Sequence, residues 1–351
     1  MPCFFSRGSA PSPRPCDGPE LRRLARREGG LSRRRQVQCL GLHCRCDGGR
    51  PGCELPVDYG HGRSVLTAAI GMPKMSGQPE PEPKPEHREP NAVSEPTTTT
   101  IDINGHACRV WTKGTGPKLG WIAGFGGLPR WVPFLDELAK TRTVVVPSLP
   151  GHPGATGHTL LDTHLDWLVA VRQVIVKSGL ENEDIAGSSV GGSLAAEFAA
   201  LWPHKVKRLA LVSPWGLFDE KNPATDVWAQ RPDDQPGLLC ANPQIWKDLK
   251  AVPAGANSVE WPIEQVRASE AAARIFWPLG NTKIEKRLPL ILAPTLLLWG
   301  EQDRVMPRSY AETFAKAITG KTTIGTIAGA GHLAELDQPA ATAKAILAFM
   351  H

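Results

Sequence analysis

Apolar runs and apolar spacings alternate along much of this chain. Thr143-Val144-Val145-Val146 is a β-branched run that predicts a strand. Asp184-Ile185-Ala186 could close a second strand, and Arg208-Leu209-Ala210-Leu211-Val212 predicts a third. Pro294-Thr295-Leu296-Leu297-Leu298-Trp299-Gly300 is apolar without interruption, as a strand buried on both faces would be. Thr322 to Ile327 is a further β-rich run. Between these lie helical spacings: residues 160–178 through Leu160, Trp167, Val171 and Ile175, then Gly191 to Trp202, residues 308–318, and Ala340 to His351. Strands alternating with helices imply a mostly parallel sheet covered on both faces, the α/β class. From Ser213-Pro214-Trp215-Gly216 to Leu288-Pro289-Leu290 the strand rhythm stops, and only helical patches around 242–250 and 262–276 remain. Roughly 250 residues suffice for one such domain with its own core.

Candidate chemistry sits where these elements meet. Gly187-Ser188-Ser189-Val190-Gly191 fits G-x-S-x-G between a strand and a helix. A serine at that turn is held in a strained conformation with its hydroxyl projecting free. The turn is too tight for side chains beside it, and the helix that follows points N–H groups at developing negative charge. A serine hydroxyl needs a base, and the base needs an orienting carboxylate. Asp303 falls in the loop after the run ending at Gly300, and His332 in Gly329-Ala330-Gly331-His332 after the next strand. Parallel strands bring those loops to the edge of the sheet that also holds Ser189. Competing readings are Ser189 as an ordinary helix N-cap, His332 as a structural histidine, and Asp219 or Glu220 as the acid in place of Asp303.

With this order of Ser189, Asp303 and His332, residues 98–351 resemble the α/β-hydrolase superfamily. The resemblance rests on Trp121 to Gly127, Pro147-Ser148-Leu149-Pro150-Gly151-His152, the serine turn, Pro294 to Asp303, and Gly329 to His332. It implies that the N–H groups of Phe125 and Val190 form an oxyanion hole. Ala123 stands where the family usually has histidine, and Ser148 where it usually has aspartate. These departures imply altered loop support or pocket polarity with the reaction class kept. The resemblance also implies that residues 216–288 form a helical cap on a core of residues 99–215 and 289–351. Trp215, Trp246, Trp277 and Leu333 are the candidate substrate-binding residues, although most of the cap tryptophans should serve packing.

Charge separates the N-terminal part. The chain carries a formal net charge of +5, but residues 1–74 hold 13 Lys+Arg against 6 Asp+Glu, so the remainder is slightly acidic. No nucleic-acid role follows from the overall balance. The leader also holds six of the eight cysteines, and a Pro/Glu-rich linker covers residues 75–98. Zinc binding through Cys39, His43, Cys44, Cys46 and Cys53 lacks a two-plus-two spacing. A transit peptide fits poorly with its acidic residues, cysteines and prolines. Disorder, or upstream sequence with Met72 or Met75 as the true start, fits best. No apolar run is long enough for a membrane span. Cys108 and Cys240 alone imply no disulfide framework and suit a cytoplasmic enzyme.

The expected activity is carboxylic ester hydrolysis of an apolar or aromatic small molecule through an acyl-enzyme, with neither metal nor organic cofactor. A carbon–carbon bond hydrolase of aromatic ring-cleavage products is the alternative, although Ser188 and Leu333 stand where that group commonly has Asn and Trp. A non-catalytic ligand-binding protein on the same fold is the alternative of another class. Oligomeric state is left open.

Overall fold

A computed structural model describes residues 95–351 apart from Leu279. The readings made for the leader therefore lie outside the described residues. Strands β1 (Thr97–Ile103), β2 (His106–Lys113), β3 (Lys118–Ile122), β4 (Thr143–Pro147), β5 (Glu183–Ser188), β6 (Val206–Val212), β7 (Thr295–Gly300) and β8 (Thr322–Ile327) form one sheet in the order β1-β2-β4-β3-β5-β6-β7-β8. Pairings among β4, β3, β5, β6, β7 and β8 are parallel, whereas β1 and β2 join antiparallel. Burial follows position in the sheet. All of β7 is buried, while the edge strands β1 and β8 leave most residues partly or fully exposed.

The helices are α1 (Pro133–Ala139), α2 (His164–Lys177), α3 (Ser189–Leu201), α4 (Gln235–Leu239), α5 (Pro243–Lys250), α6 (Glu260–Phe276), α7 (Ser309–Ala317), α8 (Ala334–Asp337) and α9 (Pro339–Phe349). Helix α3 is buried from Ser189 to Ala200, so its apolar residues occupy every face. Its one acid, Glu197, is buried too, and Arg287 and His164 bond it. Thr163 starts α2 with a capping box shared with Asp166, which places the helix start inside the 160–178 window.

The β1–β2 hairpin and α4 were not among the elements read from the hydrophobic pattern. The hairpin turns at Asn104-Gly105, both at positive φ, the conformation such a dipeptide favours. Its threonine-rich first strand begins at Thr97, inside the segment expected to be linker. Helix α4 is only Gln-Pro-Gly-Leu-Leu, too short to show periodicity. No helix among the described residues is long and apolar enough to cross a membrane.

Parallel pairing sets the site. Ile122 pairs with Gly187, Ser188 with Val212, Val212 with Leu298, and Gly300 with Ile327. The carboxyl ends of β3, β5, β6, β7 and β8 thus lie along one edge, where crevices form in open parallel sheets.

Candidate active site

Chain direction changes abruptly at Ser189, from β5 into α3. Its φ is 51°, a left-handed value costly for a residue with a side chain. The turn must be glycine-flanked for a visible reason. A Cβ on Gly191 would run into the carbonyl oxygens of Ile122 and Ala123 at the end of β3. One on Gly187 would come within 2.9 Å of the Gly191 carbonyl oxygen. The elbow and the loop after β3 are packed backbone to backbone.

Three side chains converge there. Ser189 Oγ lies 2.8 Å from His332 Nε2, and His332 Nδ1 lies 3.1 Å from Asp303 Oδ2. The carboxylate can only accept, so Nδ1 carries the proton and Nε2 accepts the serine hydroxyl. Asp303 is itself held, because its Oδ1 accepts the N–H groups of Val305 and Met306 at 2.8 and 2.9 Å. Ser189 and His332 are fully buried. Asp219, the alternative acid, instead accepts the Lys221 N–H at 3.0 Å and donates its own N–H to the Tyr310 hydroxyl.

Beside the elbow, the loop after β3 turns tightly, with the Gly127 N–H donating to the Gly124 carbonyl at 3.0 Å. A Cβ on Gly124 would be 3.1 Å from Ser189 Cβ, so this loop and Ser189 are in close approach. Phe125 follows directly. Val190 is in the first turn of α3, where an N–H has no partner within the helix. Ser148, at the position of the expected aspartate, donates to the Pro153 carbonyl at 2.7 Å and accepts from Arg109 at 3.0 Å. It ties neighbouring loops together.

Over this edge lie aromatic rings from the segment between β6 and β7. Trp215 donates its indole N–H to His332 Nε2 at 3.2 Å, sharing the single lone pair with Ser189. Trp228 packs 5.3 Å from Trp215 and 5.4 Å from Phe125 between ring centroids. Trp246 lies 6.2 Å from Phe125. A contiguous set of rings therefore leads from His332 to a cavity of about 410 Å³, lined by Phe125, Trp228, Trp246, Lys250 and residues of α6. That volume suits a small molecule.

Of the four candidate substrate residues, Trp215, Trp246 and Leu333 are brought to this region. Leu333 is buried, and its Cδ2 lies 3.0 Å from where a Gly124 Cβ would stand. Trp277 is different: 60% of it is exposed, and it is absent from the cavity lining. The end of α6 directs it outward. Sequence reasoning did not pick out Trp228 from among the cap tryptophans, and it missed Lys250 and Glu335. Glu335 is buried beneath the elbow and accepts the Ser188 hydroxyl at 2.5 Å. Burial pushes its carboxyl up to about 7, against the opposing pull of the Ser188 hydrogen bond and of His332. A lone glutamate in a short helix carries no signal in the sequence. Among the described residues no group of three or more His, Cys, Asp or Glu is placed to hold a metal ion.

Comparison with known proteins identifies the family of this fold. Residues 114–345 match the model of the alpha/beta hydrolase family. The chain is 31% identical over 257 residues to the dihydrolipoyllysine-residue acetyltransferase component of the acetoin cleaving system of Cupriavidus necator, covering 68% of this chain and 64% of that protein's length. It is 24% identical to monoacylglycerol lipase ABHD6 of Homo sapiens, over 67% of this chain and 75% of the relative. Among solved structures, 2-hydroxy-6-oxo-6-phenylhexa-2,4-dienoate hydrolase from Rhodococcus sp. strain RHA1 superimposes with a TM-score of 0.60 at 19% identity, covering 73% of this chain and 98% of the other. With its sheet order, strand-to-helix serine turn and family match, this chain belongs to the alpha/beta hydrolase family.

Proposed function

We propose that the protein is a serine hydrolase that cleaves carboxylic esters of apolar or aromatic small molecules through an acyl-enzyme. The observation that carries this reading is the continuous relay from Ser189 Oγ through His332 to Asp303, enclosed beneath aromatic side chains. Ser189 attacks the carbonyl carbon while its proton passes to His332 Nε2, and Asp303 stabilises the resulting imidazolium. The N–H groups of Phe125 and Val190 receive the oxyanion, a contribution of about 100-fold or more per donor. His332 then protonates the departing alkoxide. A water deprotonated by His332 attacks the acyl carbon, and Ser189 leaves with the proton returned to it.

Trp215 has a part in this cycle. Its indole N–H and a protonated Nε2 are both donors, so the contact at 3.2 Å must open as the proton arrives. Helices α4 to α6 act as a cap on the core, and ring movement admits substrate to the enclosed serine. The buried free thiols Cys108 and Cys240 fit a reducing cytosol.

The test compares the full chain with Ser189→Ala on p-nitrophenyl esters of increasing acyl length, beside a vinylogous diketone ring-cleavage product. Ester turnover abolished in the variant supports the reading. Turnover of the diketone alone moves the activity to carbon–carbon bond hydrolysis. Turnover of neither, with no labelling of Ser189 by a fluorophosphonate, leaves a ligand-binding protein.

A further inference from the structure

Lys250 ends α5 and reaches the wall of the aromatic cavity beside the loop that holds Phe125. Among the described residues its Nζ bonds only neutral acceptors: the Gly126 carbonyl at 3.3 Å and Gln265 Oε1 at 2.8 Å. It also stands 4.6 Å from the centre of the Trp246 ring. An ammonium has three donors, and two are used here. Among the described residues no carboxylate comes within ion-pair distance of it.

The nearby acids are engaged elsewhere. Glu264 accepts the Gly154 N–H at 2.8 Å and pairs with Arg267. Glu270, on the cavity rim, bonds Arg274 at 3.0 Å and His158 at 3.2 Å. His152 offers no negative charge. Burial, then the charges of Lys250, His158 and Arg109, push its imidazole down to about 3. Burial likewise lowers the Lys250 ammonium to about 7, with Glu264 pulling weakly the other way. A cation in an apolar wall without a counter-ion is costly, and the cost is relieved either by losing the proton or by an arriving anion that pairs with it.

We propose that Lys250 is the recognition residue for a substrate carboxylate, so that the preferred substrates of the site are esters bearing a negative charge. The free ammonium donor meets the carboxylate within the Phe125–Trp228–Trp246 cavity, and the rings enclose the apolar part of the same molecule. This assignment rests on the serine-hydrolase reading for its location next to the reacting carbonyl. Its chemistry, a lone cation in an aromatic cavity, stands independently. A bound carboxylate supplies the missing counter-charge and raises the ammonium's affinity for its proton. A charge-assisted hydrogen bond of this kind is worth about tenfold or more in binding.

Two matched pairs of probes test it on the full chain. Mono-p-nitrophenyl adipate against p-nitrophenyl hexanoate places the charge on the acyl side. Para-acetoxybenzoate against p-tolyl acetate places it on the leaving group. The readout is the ratio of kcat/KM within each pair, so a general loss of activity cancels. The wild-type enzyme is expected to favour the charged member of at least one pair by about tenfold or more. Lys250→Gln and Lys250→Met should each bring that ratio to near one, and Lys250→Arg should retain part of it. No charged preference in the wild type, or a preference that survives both neutral variants, overturns the assignment. If Ser189 proves unreactive, the hydrolase reading fails by itself. Calorimetric binding of adipate and para-methylbenzoate to wild type and Lys250→Gln then decides the question. Binding weakened about tenfold or more supports Lys250, and equal or absent binding overturns it.

Discussion

The carboxyl edge of the sheet and the helical segment between β6 and β7 are built on different principles. At the sheet edge, backbone does the positioning. Parallel register brings the strand ends at Ile122, Ser188, Val212 and Gly300 to one edge, glycines let β3 and α3 touch, and three loops deliver Ser189, Asp303 and His332 to one point. In the helical segment, side chains do it. Trp215, Trp228 and Trp246 reach the site by ring packing, Trp215 and Trp228 with one indole bond each, and an apolar stripe of Val259, Ile263 and Val266 at the start of α6 remains exposed. The first arrangement tolerates little change and serves one chemistry. The second can be repacked, so under the proposed function it is where substrate choice would reside.

Substitutions that separate these two kinds of positioning should differ in size. Ser189→Ala removes the proposed nucleophile and is expected to lower kcat by about 10⁶-fold, with folding intact by circular dichroism. Asp303→Asn keeps the shape but favours the wrong imidazole tautomer, so kcat should fall about 10⁴-fold with KM nearly unchanged. Trp215→Ala empties a fully packed position over His332. It should cost about 3–5 kcal/mol in urea denaturation and move the acyl-length optimum to longer esters. Losing stability without changing the length optimum would show that the rings only pack.

Glu335 sharpens the contrast from beneath the elbow. Its folded carboxyl is raised from 4.5 to about 7 by burial, so folding holds its proton more tightly than the unfolded chain does. That contribution is complete below the unfolded value and is lost as pH rises through about 7. Glu335→Gln should therefore match the wild type at about pH 4, below the unfolded value, and exceed its stability by up to about 3 kcal/mol at about pH 9. Denaturant titrations at the two pH values measure the difference. The smallest effect belongs to Trp277, which is exposed at the end of α6. Trp277→Ala should change stability by less than about 0.5 kcal/mol.

What could be read from the sequence follows the same division. The strand from Thr295 to Gly300 and the turn at Ser189 are local patterns, and backbone geometry converts them directly into positions. Asp303 and His332 were legible because loops after parallel strands share an edge. Trp277 and Trp215 look alike in sequence, yet one faces solvent and the other His332. The difference is set by how α6 lies on the core, which no spacing encodes. Lys250 and Glu335 were missed for a related reason. Each acquires meaning only from neighbours distant in the chain, Gly126 and Ser188 respectively.

The central claim is that Ser189 becomes acylated with His332 as its base. The most direct measurement is acid quenching of the enzyme during turnover of a p-nitrophenyl ester, followed by peptide mass spectrometry. The account predicts one acyl group on the peptide containing Ser189, absent from Ser189→Ala and from His332→Ala. An acyl group on another residue, or ester turnover with Ser189 unmodified in the rapidly quenched enzyme and undiminished in Ser189→Ala, would contradict it.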